Sequence, residues 1–226
     1  MPRGTPPCRS LRVAREYEAS GGRGGGHGKV AVATALEAGM EVVAVLDDAP
    51  TKWGSSLLGA PVLGPVSAFE RFLQKDVRFV LAIGENRVRQ KLASLMAGVD
   101  WATLVHPRAY VHATASLGEG TVVFAGAIVQ PMVQVGRHVI VNTSAVVEHD
   151  CRIGDWVHLA SGTRLAGSVE VGEGAFVGAG AVVIPGKRLG RWSIVGAGAV
   201  VVRDIPDFSL AYGVPAEVRR KIQGEP

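Results

Sequence analysis

With only two cysteines, Cys8 and Cys151, far apart in 226 residues, the chain carries neither a disulfide framework nor a cysteine metal spacing, and it suits a reducing compartment. Aromatic residues make up 6%, so the core has to be built from Val, Ile, Leu and Ala. No run of 18 uncharged apolar residues reads as a membrane helix, and the N-terminus lacks the apolar centre of a secretory signal. The net charge of +4 is not a nucleic-acid signal either. Residues 1–23 hold five arginines against Glu16 and Glu18, a net of +3, which leaves +1 over the other 203 residues and no basic stripe. These absences predict a soluble, cytoplasmic protein with no nucleic-acid partner and no membrane span. What the chain has in abundance is glycine, 30 residues of it.

The second half keeps a beat of six. From Val105 to Val201, every sixth residue is Val, Leu or Ile, seventeen times without an insertion. Four places after each comes mostly Ala, Thr, Val, Cys or Ser, with Lys187 and Ile205 as exceptions. A second period of 18 is marked by Gly118, Gly136, Gly154, Gly172 and Gly190. Neither a helix nor a flat strand has a period of six. The pattern predicts a three-sided solenoid in which each hexad makes a short strand and a corner. The aliphatic residue points inward, the small residue fits beside it, and glycine relieves crowding near one corner. Coils would lie roughly 4.8 Å apart, so residues 18 apart stack. A β-sandwich with fortuitous spacing is the plainer alternative.

The first half alternates as βα units. "VAVATALEAG" (30–39) reads as a helix ended by Gly39, and "EVVAVLDD" (41–48) as a strand ending in two acids. "VSAFERFLQKD" (66–76) reads as helix, "RFVLAIG" (78–84) as strand and "NRVRQKLASLMAG" (86–98) as helix, before "ATLVHP" (102–107) enters the first coil. The turn "GGGHGKV" opens the first helix, where glycine N–H groups and the helix dipole favour a phosphate. Asp47 and Asp48 follow about 20 residues later at a strand's end, where carboxylates accept from ribose or base N–H groups. Without context, a glycine turn is more often just a turn, and two acids at a strand end are a solvated end. The strand expected before the turn carries Arg12, Arg15, Glu16, Glu18 and Arg23, which do not suit a doubly covered central position. Residues 1–23 are therefore expected to be an atypical tail or a degenerate first strand, and the favoured reading is a mis-translated stretch.

The repeat [LIV]-G-x-x-x-x resembles the hexapeptide-repeat, left-handed parallel β-helix of bacterial acyltransferases. The tail "YGVPAEVRRKI" resembles their closing segment, G-x-P-A followed by Lys or Arg, although Glu217 stands where the basic residue is usual. "GGHGKV", "LDD" and "FVLAIGEN", joined to coils carrying "VNTSAVVEHDCRIG", are similar to one group within it over residues 24–222. That group is the N-acetyltransferases of nucleotide-linked 4-amino-4,6-dideoxy sugars, with the sialic-acid O-acetyltransferase-like proteins. The implied fold is a small Rossmann-like α/β domain (24–101), a left-handed parallel β-helix (102–206) and a closing segment (207–226).

Glu148, His149 and Asp150 follow the inward Val147, so they face out around a corner; most outward histidines are plain surface residues. Eighteen residues on, Gly167 should place its N–H one coil above the imidazole. The resemblance implies a homotrimer with sites between subunits, acetyl-CoA as co-substrate, no metal, and a nucleotide sugar as acceptor. His149 would be the base, Asp150 would orient it (Glu148 being a rival), and the Gly167 N–H would meet the developing oxyanion. Cys151, in the inward phase, reads as core. By the same resemblance His158, Gly167, Ala179 and Ala197 would line the acetyl-CoA groove, and Asn142 would face the sugar or steady the histidine. Gly25, Gly26, His27, Asp47, Asp48, Gly84 and Asn86 would hold the nucleotide portion, His27 having capping of the turn as its plain alternative.

Three rivals share the prism. A γ-type carbonic anhydrase needs an H-x-x-x-x-H pair, whereas His106 and His112 are six apart and His149 and His158 nine apart. A non-catalytic scaffold needs neither His149 nor a glycine above it. Sugar O-acetylation would use the same base and the same donor.

Overall fold

The computed structural model describes residues 10–15, 26–73 and 77–222. The first unit is a sheet of β1 (Ser10–Arg15), β2 (Glu41–Asp47), β3 (Ser56–Leu57), β4 (Ala60–Gly64) and β5 (Val77–Leu81), in the order β3-β4-β2-β1-β5. β1, β2, β4 and β5 are parallel and β3 pairs antiparallel with β4. One face is covered by α1 (Gly26–Glu37), whose alanine-rich stripe buries Ala31, Val32 and Ala35. Gly39 closes that helix in the left-handed region at φ +74°, with its N–H donating to Leu36 and that of Met40 to Ala35. The other face packs on the 3₁₀ segment Val66–Phe72 and α2 (Asn86–Leu95). The residues expected to form a helix over 66–76 thus make a tighter turn. The β3–β4 hairpin was not foreseen.

Of residues 1–23 the structure describes Ser10–Arg15, which stands where the expectation allowed a degenerate first strand. Ser10–Arg15 is the central strand, held between β2 and β5, with Leu11, Val13 and Ala14 fully buried. Arg12 is tolerated there because its guanidinium lies over the rings of Phe72 (5.3 Å) and Phe79 (5.8 Å) and donates to the Phe72 carbonyl. The remainder of the stretch lies outside the described residues.

From Leu104 to Val201 the chain makes two-residue strands at intervals of six, paired in parallel with the strands 18 residues before and after except at the two ends of the stack. They form three sheets around one core of Val, Ile, Leu, Ala and Cys151. The glycine file shows why coils stack so closely. A Cβ on Gly154 would stand 2.7 Å from the Glu173 nitrogen, and one on Gly136 2.7 Å from that of Asp155. An antiparallel hairpin, Ser209–Tyr212 with Glu217–Lys221, covers the last coil.

The two units meet across the outward side of one sheet. Arg89 of α2, only 1% exposed, is the centre of the contact. Its Nε donates to the His138 carbonyl (2.9 Å), Nη2 to Trp156 (2.7 Å) and to the Asn86 Oδ1 (3.0 Å), and Nη1 to Ile83 (2.9 Å). Asn86 in turn donates to the carbonyls of Gly174 (3.0 Å) and Ala175 (3.2 Å). Beside them His138 stacks on Trp156, rings 4.5 Å apart and 5° from parallel, with Trp101 edge-on at 4.7 Å.

Burial, aided by the Arg89 charge, pushes the His138 imidazole down from 6.5 to about 4. His158 is likewise pushed down to about 4 and His27 to about 3, both mainly by burial. The native state keeps these rings neutral while the unfolded chain takes up protons below about pH 6.5, so stability falls as pH drops from there towards 4. Urea midpoints measured between pH 7 and 4 are expected to decline over that window, and a His138→Phe variant to decline less. Equal slopes for the two proteins would remove His138 from the account.

Candidate active site

His149 sits on the corner that follows the strand Val146–Val147. Asp150 turns the chain there with φ +61°, in the left-handed region that aspartate tolerates better than most residues. The corner is tied to both neighbouring coils: the Asp150 N–H donates to Pro131 (3.2 Å), and the Ser168 N–H donates to the His149 carbonyl (2.9 Å).

The imidazole Nδ1 lies 2.8 Å from Asp150 Oδ2. With the carboxylate ionised, Nδ1 carries the proton and Nε2 keeps its lone pair. Both side chains are open to solvent, His149 61% and Asp150 56% exposed. Gly167 lies directly against the ring: a Cβ there would be 2.6 Å from Cε1 and 2.7 Å from Nε2. Among the described residues the Gly167 N–H donates to no acceptor. An imidazole, the carboxylate bonded to it and an amide N–H without an acceptor among the described residues thus share one edge. Cys151 faces inward with its thiol donating to the Ala166 carbonyl (3.2 Å), and burial pushes the thiol up to about 11. It remains a protonated core residue.

A second polar cluster gathers where α1 and the end of β5 meet the β-helix. His158 donates from Nδ1 to the Gly84 carbonyl (3.0 Å), and its Nε2 accepts from the Asn142 amide (3.2 Å). That tautomer follows from the carbonyl, which only accepts. The His27 ring, at the start of α1 beside Gly26, lies 5.2 Å from Phe124 and 6.0 Å from His158, and its Nε2 is buried without a partner. Ala179 and Ala197 stack on the edge that Asn142 begins, with the Gly198 N–H donating to the Ala179 carbonyl.

The structure gives several of the expected site residues partners within the chain. His158 is buried in the contact between the units with both ring nitrogens engaged. Asn86 fastens α2 to the β-helix, which leaves its amide engaged rather than turned to a nucleotide. Asp47 is buried and shapes its own loop, accepting from the Ala49 N–H (2.9 Å) and pairing with Lys52 (3.2 Å). Asp48 accepts from the Val66 N–H (2.8 Å) and lines a cleft of about 460 Å³ walled by Val66, Phe69, Leu92 and Met96. Gly25 lies outside the described residues. Gly167 and the Ala179–Ala197 pair occupy two different edges, separated by the sheet whose outward residues are Tyr110, Ile128, Val146, Arg164, Val182 and Val200. Arg89 escaped sequence reasoning. The one available signal was its helical phase, four and seven residues before Ala93 and Met96 on the core-facing side.

A coiled prism with an outward His–Asp pair beneath a glycine amide, joined to a βα unit whose first helix opens on Gly26, defines the hexapeptide-repeat acyltransferases with an N-terminal nucleotide-type domain. Residues 24–96 match the PglD N-terminal domain family. A histidine-to-asparagine variant of perosamine N-acetyltransferase from Caulobacter crescentus, in complex with CoA and GDP-perosamine, is 41% identical. The match covers 92% of this chain and 97% of that one, with a TM-score of 0.83. The acetyltransferase domain of PglB from Neisseria gonorrhoeae is 34% identical over 93% and 100% of the two chains, TM-score 0.83. UDP-N-acetylbacillosamine N-acetyltransferase from Bacillus subtilis is 46% identical over 108 residues. The match spans 48% of that protein and 19% of a second curated relative, from Acanthamoeba polyphaga mimivirus. The chain belongs to the nucleotide-sugar N-acetyltransferase family of left-handed β-helix proteins.

A Gly167→Ala substitution is expected to push the imidazole off the coil by about an ångström and to cost on the order of 100-fold in kcat for acyl transfer. A crystal structure of that variant with the ring unmoved, or full activity, would contradict the contact.

Proposed function

We propose that the protein transfers the acetyl group of acetyl-CoA to the 4-amino group of a nucleotide-linked amino-deoxy sugar. The observation that carries this reading is the pairing of His149 with Asp150 directly beneath Gly167. The perosamine N-acetyltransferase whose name joins CoA to GDP-perosamine, matched over 97% of its length, supports the choice of substrates. His149 Nε2 takes a proton from the acceptor amine, and the Nδ1–H···carboxylate bond to Asp150 stabilises the resulting imidazolium. The amine nitrogen attacks the thioester carbonyl, and the Gly167 N–H donates to the oxygen as it gains charge, a contact typically worth about 3 kcal/mol of barrier. The intermediate collapses to the amide, and the imidazolium returns its proton to the departing CoA sulfur. No covalent enzyme intermediate is involved. Among the described residues no cluster of His, Cys, Asp or Glu is suited to a metal ion.

The working form in this reading is a homotrimer. His149 and Gly167 stand on one edge of the prism, and Asn142, Ala179 and Ala197 on the next. A second copy is needed to bring the two kinds of edge together. The sheet between them carries Tyr110, Ile128, Val146, Val182 and Val200 outward with Arg164 in their midst, a face apolar but for that arginine and suited to burial around a threefold axis. Heterologous contacts of this kind close after three subunits when each turns the next by a third. Acetyl-CoA and nucleotide sugars are cytoplasmic metabolites, which is where this reading puts the protein. No helix among the described residues is long and apolar enough to cross a membrane.

Acetyl-CoA consumption against UDP-, GDP- and dTDP-linked amino sugars tests the assignment directly. His149→Ala is expected to lower kcat by roughly 10²- to 10⁴-fold while light scattering still gives the trimer mass. An undiminished rate would reject the base, and no turnover of any amino sugar by the unaltered protein would reject the activity.

A further inference from the structure

Acetyl transfer to an amine and to a hydroxyl makes the same demands on His149, Asp150 and Gly167, so these groups do not choose the acceptor. The charge beside them does. Along the strand leading to the corner Val146 faces out, Val147 is buried and Glu148 faces out again, at the point where the sheet face ends and His149 begins. The Glu148 N–H is fixed to the Leu165 carbonyl (3.0 Å). Its side chain is half-buried, and among the described residues its carboxylate has no hydrogen bond and no ion pair. Asp150, not Glu148, holds the imidazole. The residues stacked on Glu148 are the uncharged Gln130 below and Ala166 above, 18 residues away on either side. The other titratable groups around it are His149 and Asp150 on its own turn, the inward Cys151, Arg164 on the coil above and His112 two coils below. None of them pairs with it, and the small Ala166 and Gly167 leave the space above the corner open.

We propose that Glu148 receives the protonated amino group of the acceptor beside Nε2 of His149, and that it is the residue by which the site prefers an amine to a hydroxyl. The inference rests on the acetyl-transfer reading above. A sugar amine is largely an ammonium near neutral pH, amino groups of this kind titrating near ~8. One of its N–H groups makes a charge-assisted hydrogen bond to the Glu148 carboxylate, and a second points at Nε2. Nε2 takes one proton and passes it to water, and the nitrogen regains its lone pair and attacks; Nε2 then takes the second proton from the tetrahedral nitrogen and returns it to the departing CoA sulfur, while Glu148 stays ionised throughout. The imidazolium so formed lies between two carboxylates. A neutral hydroxyl brings no charge to Glu148 and gains only an ordinary hydrogen bond.

The experiment compares kcat and KM for a nucleotide-linked 4-amino sugar and its 4-hydroxy counterpart, with acetyl-CoA, in the unaltered protein, Glu148→Gln and Glu148→Asp. Glu148→Gln is expected to raise KM for the amino sugar by roughly 10- to 100-fold, with a smaller change in kcat, none in KM for acetyl-CoA and little in the hydroxy sugar's rate. Glu148→Asp recovers part of the loss. An unchanged KM for the amino sugar, or an equal loss on both acceptors, overturns the role of Glu148 and leaves the acetyl-transfer reading standing. An unaltered protein that acetylates no amino sugar overturns both.

Discussion

Everything in the second half depends on how closely one coil lies on the next. Parallel strand pairing fixes the rise at roughly 4.8 Å, and two-residue strands leave no freedom of register, because a slip by one residue would turn the aliphatic file outward. Gly136 and Gly154 show how tight the constraint is, since a single added carbon at either would meet main-chain atoms of the next coil within 3 Å. The same constraint builds the active corner. His149 does not need a dedicated pocket to find its amide donor. It needs a residue without a side chain 18 positions later, and Gly167 is that residue. The remaining determinant is local: a left-handed Asp150, whose turn brings its carboxylate back to Nδ1.

The contact between the two units follows a different logic. A guanidinium buried without a carboxylate partner is costly unless its donors all find acceptors. Arg89 meets that condition with carbonyls from both units and with the Asn86 amide. Burial pushes it down to about 9, which leaves it charged at neutral pH. Its positive charge also helps to keep His138 and His158 neutral. A neutral His158 is what the bond to Asn142 requires, since a protonated ring would turn Nε2 into a donor facing another donor. The order of the cluster thus reaches from α2 to Asn142, on the edge facing away from His149.

This difference explains what the sequence disclosed. A beat of six, kept from Val105 to Val201, is a one-dimensional code for a three-dimensional stack, so the prism, its inward residues and the meeting of His149 with Gly167 were legible at once. The contact between the units has no such code. Arg89 pairs with carbonyls 49 and 67 residues away, and only its helical phase separates that arginine from Arg87 and Lys91. The contacts of Asn86 and His158 across the two units were hidden for the same reason. β1 failed differently. Charge count argued against a central strand, but two phenylalanines supply Arg12 with a cation-accepting surface, which a count of charges does not reveal.

The division of polar residues between two edges has a consequence for how the site works. On the His149 edge the side chains are open to solvent and the main chain supplies the rigidity. Where the Asn142 edge meets the first unit His158 is buried and neutral, and the hydrogen bonds run in one direction from Asn142 through His158 to Gly84. An exposed base exchanges protons with water freely, which suits a group that must reset after each turnover. A buried, neutral network does the opposite and holds one orientation, which suits the recognition of an acceptor. In the trimer proposed above, joining an edge of each kind from neighbouring copies would let one fold supply both properties and would tie catalytic competence to assembly.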